Sequence, residues 1–486
     1  MRKLVRTWSW TWILLWSATA LAHVGSPDVY YEDDAGPYHL LVTVRPPAMI
    51  PGVAQVEVRA TSGTVKSIQI VPVYVTGKDQ GFAPTPDVMQ AVPGDPQSFT
   101  GKVWLMASGS WEVRVDVAGV QGTAKVAVPV AAFARRTLPI QKALGALLFA
   151  LMVFLGVGIV SIAWAAAREG SLEPGAAPED RNTRKGRISM VVATVLVLGM
   201  LFLGNWWWDS EASTQKHDML YKAPPLAASL ENGRHLVLQM GSSYWHERRK
   251  DSWSMKLIPD HGHLMHLFLL RVPAMDRFYH LHPDQTQDGV FALDLPSIDA
   301  GHYKIFADVV RETGFPDTMV TEMEFPQIAG VALAGDDSDV SAPSFGDSSS
   351  NAISTFADGG RMVWERDSSA PAIGRLAWFR FKVEDQDGKP VNDLEPYMGM
   401  AGHAVFVRSD ESVFAHIHPA GSVPMAALQV VQKDVGAILE HNMPMAWSSE
   451  VSFPYGFPRT GDYRLFVQIK RGGKVETGVF DTRISN

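Results

Sequence analysis

"FYHLHP", residues 278–283, places two histidines one residue apart at the end of an apolar run that a proline closes. "FAHIHP", residues 414–419, repeats this arrangement later in the chain. Short apolar runs bounded by Gly, Pro and Asp are typical of β-strands. The chain therefore contains two copies of one β-domain. Two further pairs of segments carry the likeness: "LIPDHGHLMHLFLL" (257–270) with "LEPYMGMAGHAVFV" (394–407), and "AGHYKIFADV" (300–309) with "TGDYRLFVQI" (460–469).

The boundaries of the two copies follow from a change in composition. Residues 334–351 are rich in Ser, Asp and Gly and show no apolar pattern, which predicts a linker. We assign 209–333 to the first copy, 334–352 to the linker and 353–486 to the second copy. The second copy carries an insertion around 424–450.

The segment 23–135 also has a β pattern, and no helical periodicity competes with it. Its alternating runs predict a sandwich of roughly seven strands. The runs are "HLLVTV" (39–44), "AQVEVRA" (54–60), "SIQIVPVYV" (67–75), "GKVWLMA" (101–107), "SWEVRVDV" (110–117) and "AKVAVPV" (124–130).

Three apolar segments predict export and membrane anchoring. Residues 1–22 combine basic residues, a short apolar stretch and the small residues Ala20 and Ala22, as signal peptides do. Segments 143–167 and 188–208 are long enough to span a bilayer. The basic loop between them, 168–187, is then cytoplasmic by the positive-inside rule. We expect a bacterial inner-membrane protein with its large domains in the periplasm.

Composition restricts the chemistry of any site. The net charge of −8 argues against nucleic acid as a partner. The chain has no cysteine, which excludes disulfides, thiolate metal sites and cysteine nucleophiles. The fold class is mainly β: three extracytoplasmic β-sandwich domains, Ig-like or cupredoxin-like, with a two-helix transmembrane hairpin between the first and the second.

Each histidine pair has a third histidine on the preceding predicted strand. Side chains alternate along a strand, so the two histidines of a pair face the same side, about 7 Å apart. If the second hairpin turns at Asp410 and Glu411, His403 lies directly opposite His418. A turn centred on Ala274 places His266 opposite His282 in the same way. We therefore expect two metal sites: His266, His280 and His282 in the first copy, and His403, His416 and His418 in the second.

The gapless alignment sets His261 and His263 of the first copy against Met398 and Met400 of the second. Histidine and methionine share a role as ligands to copper, whose reduced form accepts imidazole and thioether together. Copper is therefore the expected metal, with zinc as the alternative. We expect the methionines to favour the reduced ion in the second site, and His261 and His263 to favour the oxidised ion in the first.

His23 offers one more ligand. Cleavage after Ala22 gives the mature chain a histidine with a free amine, a pair that chelates Cu(II), and His39 is a candidate third nitrogen.

Several structural alternatives stay open for these residues. A histidine pair on a strand also occurs as hydrogen-bonded or half-exposed side chains without a metal. Methionines 398 and 400 are equally consistent with filling gaps in a core. His23 is also consistent with an incidental residue after the cleavage site.

The segment 394–419 resembles bacterial extracytoplasmic HxHP-repeat β-sandwich proteins of uncertain function, a set often associated with heavy-metal handling. "GSWEVRVDVAG" (109–119) resembles YtkA-like and FixH-like domains, and the latter are associated with assembly of copper-containing oxidases. The "AH" at residues 22–23, at the predicted cleavage site, resembles that of CopC-like copper-resistance proteins, whose mature N-terminal histidine binds Cu(II).

The predicted function is a membrane-anchored periplasmic metal-binding protein, with copper the expected metal. It would act in resistance, in storage, or in delivery to a membrane partner such as a copper protein or oxidase. The alternatives are a metal-free interaction or assembly protein for a membrane complex, and a copper-dependent oxidative enzyme. We assign no catalytic residue, because no paired catalytic carboxylate or general base is placed near the histidine clusters.

Overall fold

A computed structural model describes residues 27–75, 83–247, 256–346, 352–366, 370–435 and 448–486. Within these ranges the chain is mainly β, with six sheets and two long helices. The proposed signal peptide and His23 lie outside the described residues.

The first domain is a two-sheet sandwich, as the alternating runs predict. One sheet has the order β1-β2-β3-β7-β6 and the other β5-β4-β8-β9. Apolar residues on alternate positions of both sheets form its core, and polar residues face outward. The strands are β1 Val29–Ala35, β2 Tyr38–Arg45, β3 Gly52–Ser62, β4 Val65–Tyr74, β5 Asp87–Val88, β6 Gln90–Val92, β7 Asp95–Leu105, β8 Gly109–Gly119 and β9 Gly122–Ala132.

Two helices long and apolar enough to cross a membrane follow the first domain: α1 (Lys142–Glu169) and α2 (Asp180–Asp218). They pack against each other, and the Ser189 hydroxyl donates to the carbonyl oxygen of Ala163 at 3.0 Å. Both helices are longer than the predicted spans 143–167 and 188–208. α2 begins inside the predicted loop 168–187 and continues into a polar segment, because helical hydrogen bonds do not depend on the lipid environment.

The first repeat, which follows α2, is again a pair of sheets. One has the order β10-β11-β16-β15, and the other β12-β17-β13-β14-β19 with β18 on the second edge of β17. The elements are β10 Leu226–Glu231, β11 His235–Met240, α3 Tyr244–Glu247, β12 Leu257–Ile258, β13 His266–Arg271, β14 Arg277–Leu281, β15 Asp284–Gln287, β16 Val290–Asp294, β17 Gly301–Arg311, β18 Pro316–Phe325 and β19 Ser338–Ser341.

The second repeat has a similar histidine-bearing sheet, which lacks a counterpart of β19 among the described residues. Its order is β23-β27-β24-β25 with β28 beside β27, and the second sheet is β20-β21-β22-β26. Its insertion contributes helix α4. The elements are β20 Ile353–Thr355, β21 Arg361–Glu365, β22 Ala377–Glu384, β23 Leu394–Glu395, β24 His403–Arg408, β25 Phe414–Ile417, α4 Met425–Val435, β26 Glu450–Tyr455, β27 Gly461–Arg471 and β28 Lys474–Ile484.

The predicted linker 334–352 contains a short strand, because Ser338–Ser341 forms β19 and pairs with β14. An edge strand needs only backbone hydrogen bonds on one side, so its polar composition does not exclude it.

The two repeats pack face to face through their histidine-bearing sheets. Each of these sheets covers the core of its own sandwich with one face and the other repeat with the opposite face. The stacked pairs Phe278–Phe466 and Phe306–Phe414 have ring centroids 4.2 and 4.1 Å apart. Because equivalent residues exchange partners, the arrangement is an approximate two-fold. Burial on both faces explains why "HLFLL" and "HAVFV" are continuously apolar.

The first domain packs against the second repeat. The Trp378 indole N–H donates to Glu32 at 2.8 Å, and the Glu32 amide donates to the carbonyl oxygen of Ala420. α4 adds Leu428 and Val431 to the core of the first domain. These contacts join the sheets of the first domain and of the two repeats into one contiguous body.

Candidate metal centre

The strand register that the sequence predicts is confirmed in both hairpins. β13 pairs with β14 through Leu267 opposite Leu281, and β24 pairs with β25 through Ala404 opposite Ile417. This register brings the histidine at the start of each first strand toward the histidine just after the second. The turns fix the register, since a slip of one residue would turn the histidines to the other face.

The first group of three histidines is the one expected from the first hairpin. His266, His280 and His282 each offer a ring nitrogen within 4.8 Å of the others, a spacing at which one metal ion could be held. The side chains of all three are buried, and the Nδ1 of His266 lies 3.1 Å from the Nε2 of His280.

The second group differs from the expected one. It contains His403 and His418, but its third member is His261 of the first repeat, and His416 is not part of it. The His261 ring lies 4.8 Å from that of His403 and 4.9 Å from that of His418. The backbone turn at His261, with φ of 52°, directs this side chain across the interface between the repeats. This group thus combines two of the three histidines predicted for the second copy with one histidine of the first, so both repeats build it.

His416 lies between the two groups. Its ring centroid is 4.7 Å from that of His418, 5.5 Å from that of His403 and 5.3 Å from that of His266. His263 stacks on His282 at 3.9 Å. Eight histidines are thus in one continuous set of ring contacts: His261, His263, His266, His280, His282, His403, His416 and His418.

Six buried ring nitrogens in this set have no hydrogen-bond partner among the described residues, and we call them the open nitrogens. A buried polar group without a partner costs about 1–3 kcal/mol, so such a concentration needs a reason. A metal ion supplies one, because it binds the lone pair of a neutral imidazole. The open nitrogens are Nε2 of His261, His282, His416 and His418, and both Nδ1 and Nε2 of His403.

In several of these rings the second nitrogen, Nδ1, donates its hydrogen to an oxygen acceptor. The Nδ1–H of His261 donates to the carbonyl oxygen of Met398 at 2.8 Å, and that of His418 to Val423 at 3.1 Å. His282 donates to Asp337 at 2.9 Å. Metal-bound histidines almost always donate their second N–H in this way, which fixes the tautomer and directs Nε2 at the ion.

His266 and His280 give a separate argument. His280 donates its Nδ1–H to Gln468 at 2.9 Å, which leaves a lone pair on its Nε2. If His266 donates Nε2–H to the carbonyl oxygen of Asp260, 3.2 Å away, its Nδ1 lone pair faces that of His280. The other tautomer places its Nε2 lone pair against that carbonyl oxygen. Either way two acceptors oppose each other, and a cation between the two imidazoles removes the conflict.

Burial keeps these imidazoles neutral, which is the form that binds metal. Loss of solvation is the largest cause that lowers the pKa of each ring, and neighbouring imidazoles add to it. The acceptors Asp337 and Gln468 oppose the effect at His282 and His280. The pKa is lowered for His261, His266, His280, His282, His403 and His418.

The other predicted ligands fall into different places. Met398 and Met400 are buried, and Met400 lines a groove toward the first domain. His39 lies beside Glu32 and Asp34, and the hydrogen bond to Glu32 raises its pKa to about 9. A metal ion at His39 would have to replace that proton. Since His261 belongs to the second group, the expected oxidation-state preference, with His261 in the first site, loses its basis.

Sequence reasoning missed two residues that contact the histidines from the neighbouring strands. Gln468 accepts from His280, and Asp308 occupies the equivalent position of the first repeat, with its Oδ2 3.5 Å from the Nδ1 of His416. The alignment places Asp308 of "ADV" (307–309) opposite Gln468 of "VQI" (467–469). Only the packing of the repeats shows that both side chains contact histidines.

A family model described as a domain of unknown function, DUF8832, matches residues 355–486. No curated protein matches the chain at a significant level. Among solved structures, it is similar to the BSP domain of a biofilm associated protein (7% identity, 96% of this chain and 68% of that chain, TM-score 0.15). It is also similar to a putative membrane anchored protein from Corynebacterium diphtheriae (8% identity, 94% and 96%, TM-score 0.14). Similarity at these TM-scores carries no argument about function.

Proposed function

We propose that this chain is a membrane-anchored metal-binding protein that holds copper ions between its two repeats. The observation that carries the proposal is the set of open nitrogens, six unpartnered ring nitrogens among the described residues, buried in one histidine cluster. A metal-free protein would retain them at a cost in stability, whereas a metal ion makes each of them a ligand.

Copper is favoured over the other common metals by the donor set. Both groups consist of three imidazoles, without a carboxylate or thiolate. Hard cations such as Mg²⁺ and Ca²⁺ prefer oxygen ligands. Imidazole suits copper and zinc, and copper has the higher affinity for a given nitrogen site. Zinc remains the competitor that the experiment must include.

The role that we propose is storage of copper or its delivery to a membrane partner, with copper resistance as the consequence. Enclosure of both groups between the repeats supports slow release rather than fast buffering. The predicted signal peptide and the basic loop 168–187 support a periplasmic location for the sandwiches at the inner membrane. The two apolar helices α1 and α2 would be the anchor.

The test is metal stoichiometry of the full-length chain in detergent micelles. The purified protein is stripped with a chelator, dialysed against equimolar Cu(I), Cu(II) or Zn²⁺, and measured by elemental analysis. We expect about two copper ions per chain, one for each histidine group. His282→Gln and His418→Gln should each remove about one ion, because each variant takes a ligand from a different group.

The matched control is His302→Gln. His302 is a partly exposed histidine of the first repeat that pairs with Glu322 and Glu324, and it should change nothing. Binding of zinc in preference to copper would refute the choice of metal. Binding of neither, or equal binding by the His282→Gln and His418→Gln double variant, would refute the proposal itself.

A further inference from the structure

The approximate two-fold symmetry between the repeats also breaks at the residues that contact two equivalent histidines. His280 and His416 are equivalent, and each has a polar residue of the other repeat against its Nδ1. For His280 it is Gln468, at 2.9 Å, and for His416 it is Asp308, at 3.5 Å. The first distance is an ordinary hydrogen bond, whereas the second exceeds the normal range.

The longer distance fits two ligands of one ion better than a hydrogen bond. Bonds of about 2.0–2.2 Å to a tetrahedral ion place a nitrogen and a carboxylate oxygen about 3.4 Å apart. The second oxygen of Asp308, Oδ1, is buried and has no partner in the described ranges. The Nε2 of His416 is one of the open nitrogens.

Access also differs between the two positions. Gln468 is completely buried and donates to Ser338, while the Asp308 side chain is 20% exposed. A cavity of about 120 Å³ is lined by Asp308, His416 and one histidine of each group, His266 and His418. Its volume is several times the roughly 10–15 Å³ of such space that one water needs, which leaves room for a partly hydrated ion in transit.

This small cavity adjoins a larger one. A cavity of about 940 Å³ lies between the first domain, the end of α2 and the two repeats. Four residues line both spaces: Pro316, Thr318, Ser422 and Pro424. Thr318 pairs with Asp308 across β17 and β18, so the carboxylate stands beside the junction of the two cavities.

We infer that Asp308 and His416 form an entry site, at which a copper ion from the larger cavity is first bound before it passes to the histidine groups. The carboxylate attracts the cation, and the His416 ring is within 4.7 Å of His418 and 5.3 Å of His266, one ring of each group. The inference rests on the proposed function, because it requires that the groups bind copper. It adds that the ion arrives from the Asp308 side only.

The test is the rate of copper loading. Full-length apoprotein in micelles is mixed with Cu(I) supplied as its small cationic acetonitrile complex, and the Cu(I) that is still unbound at set times is trapped and measured with the coloured chelator bathocuproine disulfonate. Asp308→Asn should load about tenfold more slowly, the low end of the effect of a steering charge on association rates. Its final copper content should equal that of the wild type. Asp294→Asn removes a carboxylate of the first repeat that pairs with His235 on the other sheet; it is the matched control and should load at the wild-type rate.

Two more variants keep the test decisive if Asp308→Asn does not fold. Asp308→Glu retains the carboxylate and should keep most of the rate, while Thr318→Phe narrows the junction without removing a ligand and should slow loading. Wild-type loading by Asp308→Asn or Thr318→Phe would overturn the entry site. A lower final copper content in Asp308→Asn would make Asp308 a resident ligand instead, which also overturns it. Failure of the wild type to take up copper would contradict the proposed function and the entry site with it.

Discussion

Replacing His403 with leucine should have opposite effects on the apoprotein and on the metal-loaded protein. His403 is completely buried, and both of its ring nitrogens are open. Each unpartnered buried polar group costs about 1–3 kcal/mol. Leucine has a similar volume, fills the space beside Tyr397 and removes both groups. We therefore expect His403→Leu to stabilise the apoprotein by about 2 kcal/mol, after some loss of packing is subtracted.

The loaded protein should behave in the opposite way. A ligand at 1,000 times its dissociation constant stabilises the folded state by about 4 kcal/mol. His403→Leu removes a member of the second group and should lose this gain for one of two ions. Thermal unfolding, followed by circular dichroism in micelles with chelator or with copper, measures both effects. The midpoint temperature of apoprotein unfolding should rise by about 4–8 °C, because about 1 kcal/mol shifts it by about 2–4 °C in a cooperative unit of roughly 150–250 residues.

The reasoning is refuted if apo His403→Leu unfolds at a lower temperature than the wild type while copper stabilises both equally. That result would make His403 an ordinary, well-packed core residue. His302→Leu is the control, since His302 is partly exposed and paired with glutamates, and it should leave the difference between apo and loaded protein unchanged.

Three further predictions concern pH and packing. The lowered histidine pKa values mean that the unfolded chain binds more protons below its own pKa of about 6.5. Stability of the apoprotein is therefore complete above that pH and falls as the pH drops below it, which urea unfolding at pH 7.5 and 5.5 will show. Phe466→Ala removes the stacking partner of Phe278 and should cost about 3–5 kcal/mol; equal stability would show that the repeats do not need this contact. Val431→Asp places a charge in the core shared by α4 and the first domain. It should expose the junction to limited proteolysis without lowering the copper content.

The strands, their faces and the register of each histidine hairpin can be predicted from the amino-acid sequence alone. Period-two alternation, turn residues and the length of each hairpin fix strand, face and register, because these depend only on neighbours in the chain. That is why His266, His280 and His282 could be grouped in advance. The apolar length of α1 and α2 likewise identified the candidate membrane spans.

The packing of the two copies against each other cannot be predicted in this way and is seen only in the tertiary structure. Nothing in a local pattern says that two sheets will pack through their histidine faces, because the continuous apolar runs fit burial against any partner. That packing places His261 in the second group, where the sequence predicts His416. It also brings Asp308 against a histidine of the other repeat. The polar segment around Ser338 joins a sheet for the same reason: its partner strand is supplied by the fold.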